Sequence, residues 1–248
     1  MNIFITGGTK GIGNGLVRHF QKLGHQIVYT GTSEESIKKS GHNQLTKTYG
    51  VVCDVRHRKE IEEALNFAVK TLKTIDIVIN NAGVNQKNKT VIELEEEDIS
   101  NVIDVNVKGM INSTSEALRI MKKQGYGRIY NMEGLGSNNM VFPKTVIYAS
   151  SKHLLSFFTK GVKKELKDYP NIKAGTLSPG MVYTDFLKSS EGFEDNFVMK
   201  ALGSSVDEVT PFLVNKILKG KMKINYLTFS KTMWRFMSFP FRKKIKYQ

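Results

Sequence analysis

The sequence predicts an α/β fold, a doubly wound parallel sheet forming a single domain, on three observations. Short apolar runs alternate with helical patterns of hydrophobic spacing. A glycine-rich turn, Gly7-Gly8-Thr9-Lys10-Gly11-Ile12-Gly13, separates the first apolar run from the first helix. No Pro/Gly/Ser-rich linker and no internal repeat divides the 248 residues, so the domain is expected to run over 1–248.

Residues 1–6 read as the first strand, and Leu16, Val17, Phe20 and Leu23 mark the apolar face of a helix ending at Gly24. A glycine turn between strand and helix lets the backbone approach a pyrophosphate, while the N–H groups and positive dipole end of the helix receive its charge. A turn without a ligand is the plainer alternative. Residues 26–30 form the second strand, which ends at Gly31-Thr32-Ser33. A site that holds an adenosine ribose through its hydroxyls places an acid near this strand end, where it would repel a 2′-phosphate. None stands at Gly31 or Thr32, and Lys10 lies in the glycine loop, so the local charge suits NADP(H) better than NAD, although Glu34 and Glu35 follow closely.

Residues 49–53 form a third strand leading to Asp54-Val55 and to a helix with apolar positions Ile61, Leu65, Ala68 and Leu72. The fourth strand, 76–79, carries the apolar run of a strand buried on both faces, and ends in Asn80-Asn81-Ala82-Gly83. Residues 127–132 supply a fifth. Ligands of such a sheet bind at the carboxyl ends of its strands.

Composition limits the function classes. Cys53 has no second cysteine to pair with, and the sequence opens on an apolar strand without a charged leader, which predicts a reducing, cytoplasmic compartment. No apolar run approaches the roughly 20 residues of a membrane-spanning helix. The formal charge is +14, and much of the excess lies beyond Pro211, where Lys216, Lys219, Lys221, Lys223, Lys231, Arg235, Arg242, Lys243, Lys244 and Lys246 occur without one acid. The rest is mildly basic, so a global nucleic-acid-binding face is not needed. His153 and the other histidines lack a second ligand at metal spacing, and no metal is expected.

Tyr148-Ala149-Ser150-Ser151-Lys152 places a phenol and an ammonium four residues apart on one helix face. A nearby cation favours the phenolate, which would bring the tyrosine towards acid–base work. The spacing alone also fits a half-exposed helix face.

In combination these stretches resemble the short-chain dehydrogenase/reductase family. The likeness rests on TGGTKGIG at 6–13, NNAG at 80–83, Asn106 in Asp104-Val105-Asn106-Val107, YASSK at 148–152, and Ser178-Pro179-Gly180 with Thr184. It covers essentially the whole chain in family order and implies a Rossmann-type fold and carbonyl–alcohol oxidoreduction with a nicotinamide cofactor. It implies that Tyr148 exchanges a proton with the substrate oxygen, that Lys152 holds the nicotinamide ribose, and that Asn106 anchors a relay water. Gly7, Thr9, Lys10, Gly11, Ile12 and Gly13 would face the pyrophosphate. Asp54 and Val55 would meet the adenine, with Asn81, Ala82 and Gly83 on the adenosine side, and Pro179, Gly180, Val182 and Thr184 would close over the nicotinamide. A homo-oligomer, dimer or tetramer, and a small-molecule carbonyl substrate are implied as well.

One departure stands out. Where the family carries a serine pair whose second hydroxyl bonds the reacting oxygen, this chain has Glu133-Gly134, and the usual spacing back from Tyr148 falls on Leu135. Ser137 is the nearest hydroxyl. Three readings compete: Ser137 reaches in, which is favoured, Glu133 takes another role, or the protein binds cofactor with little turnover. The glycine-rich replacement, together with SPGMVYTD at 178–185 and INYLT at 224–228, is similar to the plant chlorophyll b reductases, which implies a working subgroup using NADPH.

Residues 181–205 are expected to form a substrate lid, in which Tyr183, Phe186, Leu187, Phe193, Phe197 and Met199 either line an apolar site or pack on the body. In the basic segment 216–248, Phe229, Trp234, Phe236, Phe239, Phe241 and Tyr247 alternate with the cations. Packing on the core or a neighbouring subunit is the plain reading. Peripheral membrane contact is the second and nucleic acid the third.

Overall fold

Seven parallel strands form one sheet in the order β3-β2-β1-β4-β5-β6-β7 in this computed structural model, which describes residues 1–42, 45–185 and 197–239. The strands are β1 Asn2–Thr6, β2 Gln26–Gly31, β3 Thr48–Val52, β4 Ile77–Asn80, β5 Gly127–Met132, β6 Ile172–Ser178 and β7 Lys223–Asn225. Strand order reverses between β1 and β4, the switch point where a Rossmann-type sheet opens a crevice. Thr6 pairs with Asn80 there, so the glycine turn and the NNAG stretch leave the sheet side by side.

Alternation along β1 builds two cores. Ile3 and Ile5 face one layer with Leu16, Val17 and Phe20 of α1 (Gly11–Lys22). Phe4 faces the other with Ile61 and Leu65 of α3 (Arg58–Leu72) and Met121 of α5 (Met110–Gln124). Between β2 and β3 lies the short α2 (Glu34–Lys39). A side chain that alternates face by face on a strand buried on both sides must be apolar at nearly every position, which explains the unbroken run in β4.

The fifth strand has the expected bounds, whereas the fourth begins one residue later than expected, at Ile77, just after Asp76, whose carboxylate accepts the Asn2 N–H at 2.8 Å. Between α4 (Glu96–Val102) and α5, residues Ile103–Gly109 form a π-helical stretch that periodicity does not foretell. The helix carrying Tyr148 is α6 (Val146–Glu165). After β6 come α7 (Phe197–Leu202), α8 (Val206–Leu218) and, beyond β7, α9 (Phe229–Ser238).

Of the expected lid, Phe186, Leu187 and Phe193 lie outside the described residues, as do Phe241, Arg242, Lys243, Lys244, Lys246 and Tyr247 of the basic segment. Among the described residues no helix is long and apolar enough to cross a membrane.

Candidate active site

Helix α6 brings Tyr148 and Lys152 together, both buried, with the ammonium nitrogen 5.8 Å from the centre of the phenol ring. No side chain at Thr145 caps this helix. The cap comes instead from Gln86, whose Oε1 accepts the N–H groups of Ile147 (2.8 Å) and Tyr148 (3.3 Å). Gln86 thereby fixes the helix turn that carries the phenol, a positioning role that sequence reading missed because the two partners lie about sixty residues apart.

Burial dominates both side chains. It pushes the Tyr148 phenol well above its ordinary value and the Lys152 ammonium down to about 8, against the carboxylate of Glu133, which favours the charged lysine. The expected downward pull of the lysine on the phenol is thus outweighed by desolvation. Burial therefore favours the protonated phenol, and Lys152 donates to the Met132 carbonyl at 3.2 Å.

The loop that replaces the serine pair wraps closely around α6. A Cβ on Gly134 would collide with the Tyr148 hydroxyl, so only glycine leaves that oxygen its space. Ser137, expected as the second donor, is instead engaged in bracing the loop: its hydroxyl donates to the Lys152 carbonyl at 3.1 Å and accepts the Gly134 N–H at 3.2 Å. His153 Nδ1 lies 3.3 Å from the Gly136 carbonyl, a further tie between loop and helix. Glu133 accepts from Ser156 Oγ at 2.9 Å, one helical turn beyond Lys152. Among the described residues no group of three or more His, Cys, Asp or Glu side chains is placed to hold a metal.

Asn106 sits in the π-helical stretch, buried, and clamps the chain after β4: Oδ1 accepts the Val84 N–H at 2.8 Å and Nδ2 donates to the Val84 carbonyl at 2.9 Å. A third bond from Nδ2 reaches Ser151 Oγ at 3.2 Å, and Ser151 in turn donates to the Tyr148 carbonyl at 2.6 Å. The clamp therefore links β4, α6 and the NNAG stretch into one rigid group.

The residues expected at the cofactor form a cradle at the carboxyl ends of β1 and β4. Asn81 Nδ2 donates to the carbonyls of Thr6 (3.1 Å) and Gly7 (2.8 Å), while Thr6 Oγ1 accepts the N–H groups of Asn81 and Ala82. Gly7 holds a left-handed φ of +66°, where a Cβ would come within 2.9 Å of Ala82 Cα, and a Cβ on Gly13 would strike the Gly7 carbonyl. Lys10 is the N-cap of α1 without a side-chain cap bond, and the first turn holds no acid, so the positive dipole end of the helix is not offset by a carboxylate of that turn. These features fit a dinucleotide pyrophosphate. Opposite, Thr184 Cγ2 lies 3.3 Å from a Cβ built on Gly11, Val182 is buried and bridges to Ser204, and Gly180 turns with φ +75° against Leu227. Asp54, expected at the adenine, has its carboxylate forked by Arg56, with both oxygens within 3.0 Å of the guanidinium, which holds its pKa low. Val55 packs on Gly109. Ile12 lies against the core, and the Thr9 carbonyl accepts from Asn14 Nδ2 at 3.2 Å.

The family model described as short chain dehydrogenase matches residues 1–195. The chain belongs to that family. This short-chain dehydrogenase is 34% identical over 251 residues to the probable chlorophyll(ide) b reductase NYC1, chloroplastic, of Arabidopsis thaliana, a match covering 92% of the chain and 50% of the relative. It therefore spans about half that relative's length. The chlorophyll(ide) b reductase NOL of the same plant is 34% identical over 241 residues, 92% of this chain and 69% of the relative. An NADPH-dependent pterin aldehyde reductase from Arabidopsis thaliana is 31% identical over 195 residues, 77% of this chain and 78% of the relative. Among solved structures, a serine dehydrogenase complexed with NADP+ superposes with a TM-score of 0.82 at 22% identity, covering 93% of this chain and 96% of that one. A 3-ketoacyl-(acyl-carrier-protein) reductase from Brucella melitensis complexed with NADH gives 0.82 at 19% identity over 90% and 95% of the two chains. These last two likenesses establish the fold.

Proposed function

We propose that this short-chain dehydrogenase reduces an aldehyde or ketone to an alcohol with NADPH, Tyr148 delivering the proton. The observation that carries the reading is the joint burial of Tyr148 and Lys152 on the α6 turn that Gln86 caps, beside the Asn106 clamp. NADPH, when bound, supplies the hydride. The N-terminus of α1 and the glycines of the turn would hold its pyrophosphate, and Lys152 would hold the nicotinamide ribose. The protonated phenol then donates to the carbonyl oxygen as negative charge develops there, and the neighbouring ammonium stabilises the phenolate left behind. Asn106 keeps the β4 end and α6 in fixed register and anchors a relay water that returns the proton.

Preference for the 2′-phosphate rests on the carboxylate-free strand end: Gly31 closes β2, Thr32 follows, and Ser33 accepts the Ser36 N–H as the N-cap of α2 at 3.1 Å. Of the nearby acids, Glu35 is paired with Lys39. A large apolar substrate is supported by Met140, Val141 and Phe142, all exposed on the loop entering α6, and by the relatives named as acting on chlorophyll(ide) b. Phe157, 74% exposed on α6, fits a second copy of the chain in a dimer or tetramer. The Cys53 thiol is buried, and burial pushes it up to about 12, which keeps it protonated.

A second reading, a cofactor-binding protein with little turnover, draws on one observation: the Ser137 hydroxyl is engaged by Lys152 and Gly134. An aldehyde panel with NADPH or NADH separates the two. The reductase reading expects NADPH oxidation dependent on at least one aldehyde, with NADH bound more weakly. Tight NADPH binding without turnover favours the second.

A further inference from the structure

Helix α9 is inverted for a surface helix. Of its two cations, Lys231 is half-buried and Arg235 is 1% exposed, while Phe229, Met233, Trp234 and Met237 are 83, 46, 59 and 72% exposed. An amphipathic helix ordinarily turns its apolar stripe inward and its charge to water. Here the inward side centres on the Arg235 guanidinium, beside Phe236, whose ring meets Phe197. Arg235 Nη1 donates to the Leu202 carbonyl (2.7 Å), the Gly203 carbonyl (3.3 Å) and Ser204 Oγ (2.7 Å), and Nη2 donates to Glu208 Oε1 (2.7 Å) and the Tyr226 hydroxyl (3.2 Å). The network locks the rotation of α9, so the apolar stripe is directed outward by construction and is not merely left over.

We infer that this outward stripe of α9 is a docking face for an anionic lipid surface. Charge decides between occupants. Lys216 and Lys231 both lie over the Phe212 ring, at 5.5 and 5.7 Å, which brings two cations beside the base of α9, and Lys219, Lys221 and Lys223 are exposed just before it. From Pro211 onward the sequence holds no acid, and Glu208 is paired with Arg235. Exposed rings and thioethers on a helix with lysines at its base and in the segment leading to it match an interface in which apolar groups enter the headgroup boundary and cations meet anionic lipid. A second copy related by a two-fold axis would set each lysine cluster against its own mate. Single-stranded nucleic acid is read by flat rings, and two of the four exposed side chains are methionines.

The docked helix is joined to the lid. Phe197 of α7 meets Phe236 and Phe239 with ring centres 6.1 and 5.0 Å apart, and Ser204, bonded to Arg235, bridges Val182 next to the cofactor cradle. A lipid surface at α9 therefore lies against the segment through which an apolar substrate would enter.

The full chain is sedimented with phosphatidylcholine vesicles, with and without phosphatidylglycerol, at low and high salt. The expected result is binding to the anionic vesicles alone, weakened by salt. It should fall roughly tenfold or more both in F229S/M233S/M237S and in K219Q/K221Q/K223Q. NADPH affinity, thermal midpoint and molecular mass should be unchanged in both. Three results overturn the proposal: wild-type protein left in the supernatant with anionic vesicles at low salt, a drop in molecular mass in the first variant, which marks a contact between copies, or single-stranded DNA binding that this variant abolishes. None of these readouts depends on turnover, so they stand or fall apart from the reductase reading.

Discussion

A single methyl group at residue 134 probes the site most finely. Gly134→Ala places a Cβ against the Tyr148 hydroxyl, and displacing a proton donor by about 1 Å is expected to lower kcat roughly 10²-fold while NADPH affinity holds. Ser137→Ala is expected to behave differently. It removes a bond to the Lys152 carbonyl, which destabilises the fold by about 1 kcal/mol, and leaves kcat within about tenfold of wild type, short of the 10²–10³ that loss of a donor to the reacting oxygen brings. Steady-state kinetics and thermal melts on both variants check the pair, and a large kcat loss in Ser137→Ala would restore that serine to the reacting oxygen. The glycine turn, NNAG and YASSK were legible as candidates because the family resemblance rests on local strings, and the fold brings the first two side by side and buries Tyr148 with Lys152. Gln86 was not, since nothing near it signals that it caps a helix at Ile147, and the loop geometry that engages Ser137 depends on the same docking against α6.

Elements were legible where one periodicity held. The first five strands agree with their apolar runs to within a residue or so, β6 and β7 were not read, and α1 ends before Gly24, whose φ of +80° suits glycine. The π-helical stretch around Asn106 was not legible, because its extra residue per turn leaves no pattern in side-chain type. Nor was the orientation of α9. Phe236 and Phe239 pack on Phe197 as rings were expected to, whereas nothing in the sequence marked Arg235 as the cation that faces inward. Removing that group takes a donor from the Leu202 and Gly203 carbonyls and, among the described residues, leaves the Ser204 hydroxyl and the Glu208 carboxylate with Tyr226 alone. Arg235→Met is therefore expected to destabilise the protein by about 3 kcal/mol, with Arg235→Lys intermediate because it keeps the charge and loses the fork. Urea unfolding of the three proteins measures the order, and equal stability of Met and wild type would remove the network from the account.

At the scale of the molecule, the site is maintained at the expense of stability. Lys152 titrates at about 8 in the folded chain against an ordinary 10.5, so the unfolded chain binds this proton first as pH falls. Its contribution therefore rises with pH between about 8 and 10.5 and is fully unfavourable below 8. Lys152→Met is expected to raise the thermal midpoint at pH 7, to lose that advantage as pH climbs to 10.5, and to abolish turnover; a lower midpoint at pH 7 would contradict it. Wild-type reduction should likewise decline above about pH 8 as the ammonium discharges. The central claim is that Tyr148 protonates the substrate oxygen, and Tyr148→Phe tests it most directly, through aldehyde-dependent NADPH oxidation measured beside NADPH binding. The account predicts unchanged binding with turnover lower by roughly 10²–10⁴. Turnover at the wild-type rate in Tyr148→Phe would contradict it.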